Sequence, residues 1–150
     1  MDIPADAYAV WPFVADPALQ KEWNPKIVTV KREAYGPASM GEHFETIYRM
    51  SGKEGTTQVL VKTCEPPRHI VFEHRMPWQG REQIFLEEYH IAESPTGVRV
   101  TQVLDLSQAR IPWFFRGVIW IISRFGKPAD EPTLEALKRA VASRSGEKQG

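Results

Sequence analysis

Between positions 27 and 106 apolar and polar residues alternate with a period of two, and the alternation breaks at YGPASMG, SGKEG, CEPPRH, WQGR and SPTG. Period-two alternation is the mark of half-buried strands, and Gly/Pro/Ser-rich breaks are the mark of turns. The pattern predicts six strands joined by short connections. Connections this short select antiparallel pairing, because a parallel pair needs a crossover of about a dozen residues. Ahead of the strands, ADAYAVWPFVADPALQKEWNP offers Asp6 as a helix cap and sets Val10, Phe13 and Val14 on one helical face, while Pro12 and Pro17 are expected to divide it into short helices. After position 106 come an apolar run at 111–125, a break at 126–128, and DEPTLEALKRAVAS, in which Leu134, Leu137 and Val141 make an amphipathic helix. Helices gathered at the two ends of an antiparallel sheet define an α+β protein, whose sheet covers its apolar face with those helices.

The run IPWFFRGVIWIISRF is interrupted by Arg116 and falls short of the roughly 20 apolar residues that a spanning helix needs. Two placements fit it: buried against the sheet, or lying in a membrane interface, where Trp113, Trp120, Arg116 and Arg124 are also at home.

A chain of 150 residues that is 42% hydrophobic and 25% charged is expected to form a single domain over 1–150. Its 19 basic and 19 acidic residues cancel, which argues against nucleic acid as a partner. The lone Cys64 excludes an internal disulfide, and MDIPADAYAVW lacks the basic and apolar regions of a signal peptide. Both point to the cytoplasm.

Several segments together resemble the START-like, or SRPBCC, superfamily, which includes polyketide cyclases and lipid carriers. They are PADAYAVWPFVADPALQKEWNP, GEHFETIYRM, EPPRHIVFEH, GVRVTQVLDLS and the terminal helix. The resemblance implies a helix-grip fold, in which a curved antiparallel sheet of six or seven strands wraps a long C-terminal helix, with two short helices near the N-terminus. It further implies an apolar cavity between sheet and helix for a lipid or other small hydrophobic molecule. The 111–125 run would then form wall and lid, contributing Phe114, Val118 and Ile122. Members of that superfamily begin with a full strand that flanks the last one, whereas only Met1, Asp2 and Ile3 precede Pro4 here. The expectation is an open edge over 98–106, covered by residues upstream or by another chain.

Taking the more apolar parity of each strand as the inner face gives Phe44, Thr46, Tyr48 and Met50; Thr57, Val59 and Val61; Ile70, Phe72, His74, Met76 and Trp78; Phe85, Glu87, Tyr89 and Ile91; and Val98, Val100, Gln102, Leu104 and Leu106. From these, Phe44, Tyr48, Val59, Val61, Phe72, Phe85, Tyr89, Gln102 and Leu104 are the expected ligand contacts. If Gln79 and Gly80 form a two-residue turn, Trp78 pairs with Arg81, His74 with Phe85 and Phe72 with Glu87, which makes His74 and Glu87 diagonal neighbours. Such a pair could act as acid and base in enolisation or dehydration. It could equally satisfy its own polarity, or sit at a wet rim. Trp23 in EWNP either faces the cavity mouth or is a core residue with its N–H bonded nearby. His43, His69 and His90 do not share a face with His74, and neither an HExxH nor a paired-cysteine motif is present, so no metal site and no cofactor are expected.

Three functions follow: a carrier or sensor of a small hydrophobic molecule; a polyketide cyclase/dehydratase-like enzyme using His74 and Glu87; or a peripheral lipid-transfer protein touching membranes through Trp113, Phe114 and Phe115.

Overall fold

The computed structural model describes residues 1–50, 52–78, 80–107 and 131–147. The expectations for the 111–125 run, including Phe114, Val118, Ile122 and the membrane contact through Trp113, Phe114 and Phe115, lie outside the described residues, as do those for the side chains of Met50 and Trp78.

Strands β1 (Asp2–Ile3), β2 (Ile27–Lys31), β3 (His43–Met50), β4 (Lys53–Glu65), β5 (His69–Trp78), β6 (Arg81–Ser94) and β7 (Gly97–Asp105) form one antiparallel sheet in the order β1-β7-β6-β5-β4-β3-β2. The six expected strands are β2 to β7, each hydrogen-bonded to the next in sequence as short connections require. Among the described residues three helices accompany them: α1 (Ala7–Ala15), α2 (Pro17–Trp23) and α3 (Glu131–Glu147).

Asp6 caps α1 by accepting from the Ala9 N–H, as its position suggested. Pro12 does not break the helix, contrary to expectation. Pro12 leaves the Tyr8 carbonyl without its i+4 donor, a single backbone bond, while Val10, Phe13 and Val14 on the same helix pack into the core. The chain does turn at Asp16 and Pro17, where Asp16 accepts from Ala18 N–H and Pro17 fills the first helical position without losing a bond.

The inner sheet face, α1, α2 and α3 share one core. Val59, Val61, Ile70, Phe72, Tyr89, Ile91, Val98 and Val100 pack with Val10, Phe13, Val14 and Trp23, and with Leu134, Leu137 and Val141 from the apolar stripe of α3. Trp23 is a core residue, its Nε1–H donating to the Phe13 carbonyl at 2.8 Å and its ring meeting Tyr89 edge-on.

The edge expected to be open is covered in part. Asp2 and Ile3 pair with Arg99 and Val98, Val100 N–H donates to the Met1 carbonyl, and an Arg99–Asp2 ion pair at 2.8 Å closes the contact. Gly97 makes the approach feasible: its φ is 143°, and a Cβ there would overlap the Ile3 carbonyl oxygen. At the other end of the sheet Arg32, its side chain 5% exposed, donates to both Glu42 carboxylate oxygens and to the Gly36 carbonyl, with Asp16 at 3.5 Å, pinning the β2–β3 loop to the start of α2.

Candidate functional site

The β5–β6 hairpin sets the chemistry of the inner face. Its register pairs Trp78 with Arg81, His74 with Phe85 and Phe72 with Glu87, as a two-residue turn dictates. His74 and Glu87 therefore meet diagonally, with Nε2 donating to Oε2 at 2.9 Å, and both are buried. The imidazole stacks on Phe85 at 4.6 Å and 6°, and Tyr48 approaches it edge-on at 5.7 Å.

Glu87 is the hub. Its Oε1 accepts from the Tyr89 hydroxyl at 2.6 Å and from Gln102 Nε2 at 2.7 Å; Gln102 Nε2 also lies 3.0 Å from the Tyr89 oxygen. Burial presses the Glu87 carboxyl toward its neutral form, but the bond and field of His74, with the bonds from Tyr89 and Gln102, outweigh it and hold the group below the usual carboxylate range. Burial, and secondarily the charge of Glu87, push the Tyr48 phenol well above its ordinary value, so Tyr48 remains a neutral hydroxyl.

Beside this network lies a cavity of about 100 Å³ lined by Asn24, Lys26, Tyr48, Thr57, Met76, Phe85, Glu87, Gln102, Leu104 and Thr133. Leu104 is 44% exposed and marks its mouth. Of the expected contacts, Tyr48, Phe85, Gln102 and Leu104 line the cavity together with Glu87. Phe44, Val59, Val61 and Phe72 instead pack into the core, and Tyr89 and His74 are buried as hydrogen-bond partners of Glu87. Thr57 and Met76 shared the inner parity without being singled out. Asn24 adjoins the EWNP tryptophan. Lys26 and Thr133 carried no signal in the pattern.

Among the described residues, three buried polar atoms of this region have no hydrogen-bond partner: Thr57 Oγ1, Gln102 Oε1 and His74 Nδ1. Two of the three residues line the cavity, so its wall presents unsatisfied polarity as well as apolar surface. On the opposite face of the sheet, His69, Glu88 and His90 converge, a cluster that the reading of histidine spacing passed over because it looked for partners of His74.

A curved antiparallel sheet closed by an amphipathic C-terminal helix over a partly polar cavity defines a START-like, helix-grip protein. The chain belongs to the polyketide cyclase/dehydrase and lipid transport family, whose model matches residues 1–142. Among solved structures it is similar to protein CV1439 from Chromobacterium violaceum (16% identity, TM-score 0.68, covering 94% of this chain and 92% of that one). It is also similar to protein NE0264 from Nitrosomonas europaea (13% identity, TM-score 0.68, 97% and 93%). DynU16, a putative protein in the dynemicin biosynthetic locus, aligns at 15% identity and TM-score 0.61 over 95% of this chain and 45% of its own. No curated protein matches the sequence. Among the described residues no helix is long and apolar enough to cross a membrane.

Proposed function

We propose that the protein binds a small hydrophobic molecule in the cavity between the sheet and α3, with one polar group of the ligand turned toward the Glu87–Tyr89–Gln102 network. The observation that carries this reading is the cavity wall: Met76, Phe85 and Leu104 supply apolar surface, while Thr57 Oγ1 and Gln102 Oε1 lack partners among the described residues. A mostly apolar pocket with a few convergent polar groups is the usual makeup of a small-molecule site. Gln102 Oε1 accepts and the Thr57 hydroxyl both donates and accepts, so the matching group is a hydroxyl or an amide. A carboxylate would face Glu87 at close range. An apolar cavity of about 150 Å³ holds benzene. The roughly 100 Å³ here is smaller and suits a short polar head, with the rest of the ligand leaving past Leu104.

A dehydratase-like activity has one observation in its favour, the unpartnered Nδ1 of His74 held by a carboxylate. Against it, Glu87, the member of the pair that reaches the cavity, is held below the usual carboxylate range and is a weak base, whereas an effective general base titrates near the working pH. Binding is therefore the favoured reading. Native mass spectrometry of the protein with long-chain alcohols and with the matching fatty acids tests it: one alcohol per chain is expected, bound at least tenfold more tightly than the acid. Equal uptake of both, or of neither, overturns it. Vesicle flotation of the same protein separates a carrier in solution from a lipid-transfer protein that docks on membranes.

A further inference from the structure

The outer face of the sheet carries a second convergence of chemical groups, separate from the cavity. His69 of β5 and His90 of β6 are direct cross-strand partners, and their rings stack with centroids 4.4 Å apart and planes 11° from parallel. Glu88, two residues before His90 and on the same face, places Oε1 2.6 Å from His69 Nε2 and 2.7 Å from His90 Nε2. One oxygen and two imidazole nitrogens thus lie within 4.8 Å of one another. Behind them Glu65, the cross-strand partner of His69 on β4, holds Oε2 3.8 Å from His69 Nδ1.

We propose that His69, Glu88 and His90 form a binding site for a first-row divalent transition-metal ion, with Zn²⁺ as the reference occupant. Two imidazole nitrogens and one carboxylate oxygen are a donor set that zinc takes when a coordination position is left open. Imidazoles favour zinc, cobalt, nickel and copper over magnesium and calcium, which seek oxygen. The geometry needs little adjustment. Donors at about 2.0–2.2 Å from a tetrahedral ion stand about 3.3 Å apart, so the present 2.6 and 2.7 Å separations must open by less than about 1 Å. The two rings must also tilt from parallel toward the shared ion. Both movements are side-chain rotations at a part-exposed surface, while the backbone positions are fixed by strand pairing. Glu65, with Oε2 3.8 Å from His69 Nδ1, is beyond hydrogen-bond distance, but a side-chain rotation would let it orient a ligating histidine through that nitrogen, as outer carboxylates commonly do. Exposure of His90 leaves room for water or a small anion at the remaining positions.

Tag-free protein titrated with Zn²⁺ by calorimetry tests the proposal, with Mg²⁺ as the control. One Zn²⁺ per chain is expected with a Kd below about 100 μM, on the affinity scale where that is about −5.5 kcal/mol. His90→Ala and Glu88→Gln are each expected to weaken binding by threefold or more, and His43→Ala to leave it within threefold. In the unaltered protein, Zn²⁺ should shift the imidazole NMR resonances of His69 and His90 and leave those of His43 and His74 in place, a readout that requires no variant to fold. The proposal is overturned if binding is not saturable below about 1 mM, if either His90→Ala or Glu88→Gln keeps the original Kd within threefold, or if the shifted resonances are those of His43 or His74.

Discussion

Replacing Glu87 by glutamine exchanges one oxygen for an NH₂ at the centre of the inner-face network and leaves its shape. The carboxylate accepts three hydrogen bonds, from His74, Tyr89 and Gln102. A bond to a charged acceptor contributes about 1.5–3 kcal/mol and a neutral one about 0.5–1.5, so neutralising the acceptor forfeits roughly 1 kcal/mol per bond. An amide also accepts at one end only, so its NH₂ faces either the Tyr89 and Gln102 donors or His74 Nε2, which must then move its proton to Nδ1 and accept. Removing a buried charge returns part of its desolvation cost. The net expectation is a loss of about 2 kcal/mol at pH 7, read by urea unfolding, or about 4–8 °C in Tm for a chain of this size. The acid dependence carries a sign. The folded carboxyl is held below the usual range, so the unfolded chain binds the proton more readily and the contribution is present above the ordinary carboxylate pKa. It is lost as pH falls through the depressed folded value, where the protonated carboxyl of Glu87 and the amide of the variant are both neutral and nearly the same shape. The stability gap between the two proteins should therefore close on acidification. A loss below about 0.5 kcal/mol at pH 7, or a gap that persists unchanged into acid, refutes the account of Glu87 as a charged hub.

Arg32→Met should cost about 3–5 kcal/mol in urea unfolding, because it strands the Asp16 and Glu42 carboxylates beside a buried side chain that no longer donates. Arg32 holds the Glu42 carboxyl below its usual range, so that part of the stability is lost as pH falls through the depressed value, and the acid sensitivity should shrink in the variant. Gly97→Ala should cost about 2 kcal/mol or more and raise hydrogen exchange at Val100 N–H, since the new Cβ overlaps the Ile3 carbonyl and displaces β1; full protection at Val100 would contradict that reading.

The period-two pattern carried the sheet because alternation is a local property: each turn signal ended a strand, and the two-residue turn after Trp78 fixed the whole β5–β6 register, His74–Glu87 diagonal included. The same register pairs His69 with His90, a consequence present in the chain but invisible to a search for histidines sharing the parity of His74. Pro12 misled because the backbone bond that a helical proline forfeits can be outweighed by core packing of the same helix, here through Val10, Phe13 and Val14, and that is set by tertiary placement. Parity also could not separate cavity wall from core. Phe44, Val59, Val61 and Phe72 share the inner face with Tyr48 and Phe85, but which of them meet empty space depends on where α1, α2 and α3 press on the sheet. Asn24, Lys26 and Thr133 reach the wall from outside the sheet strands altogether.

The claim that the inner cavity receives an apolar ligand by its polar end is tested most directly by chemical-shift mapping of the isotopically labelled protein during titration with a long-chain alcohol. The account predicts saturable shifts concentrated on Tyr48, Thr57, Phe85 and Gln102, the residues that line the cavity, with Gln102→Leu weakening binding by about tenfold, the scale of one well-formed hydrogen bond to a buried partner. Shifts confined to the outer face of the sheet, or none up to about 1 mM, a Kd worth only about −4 kcal/mol, would contradict it.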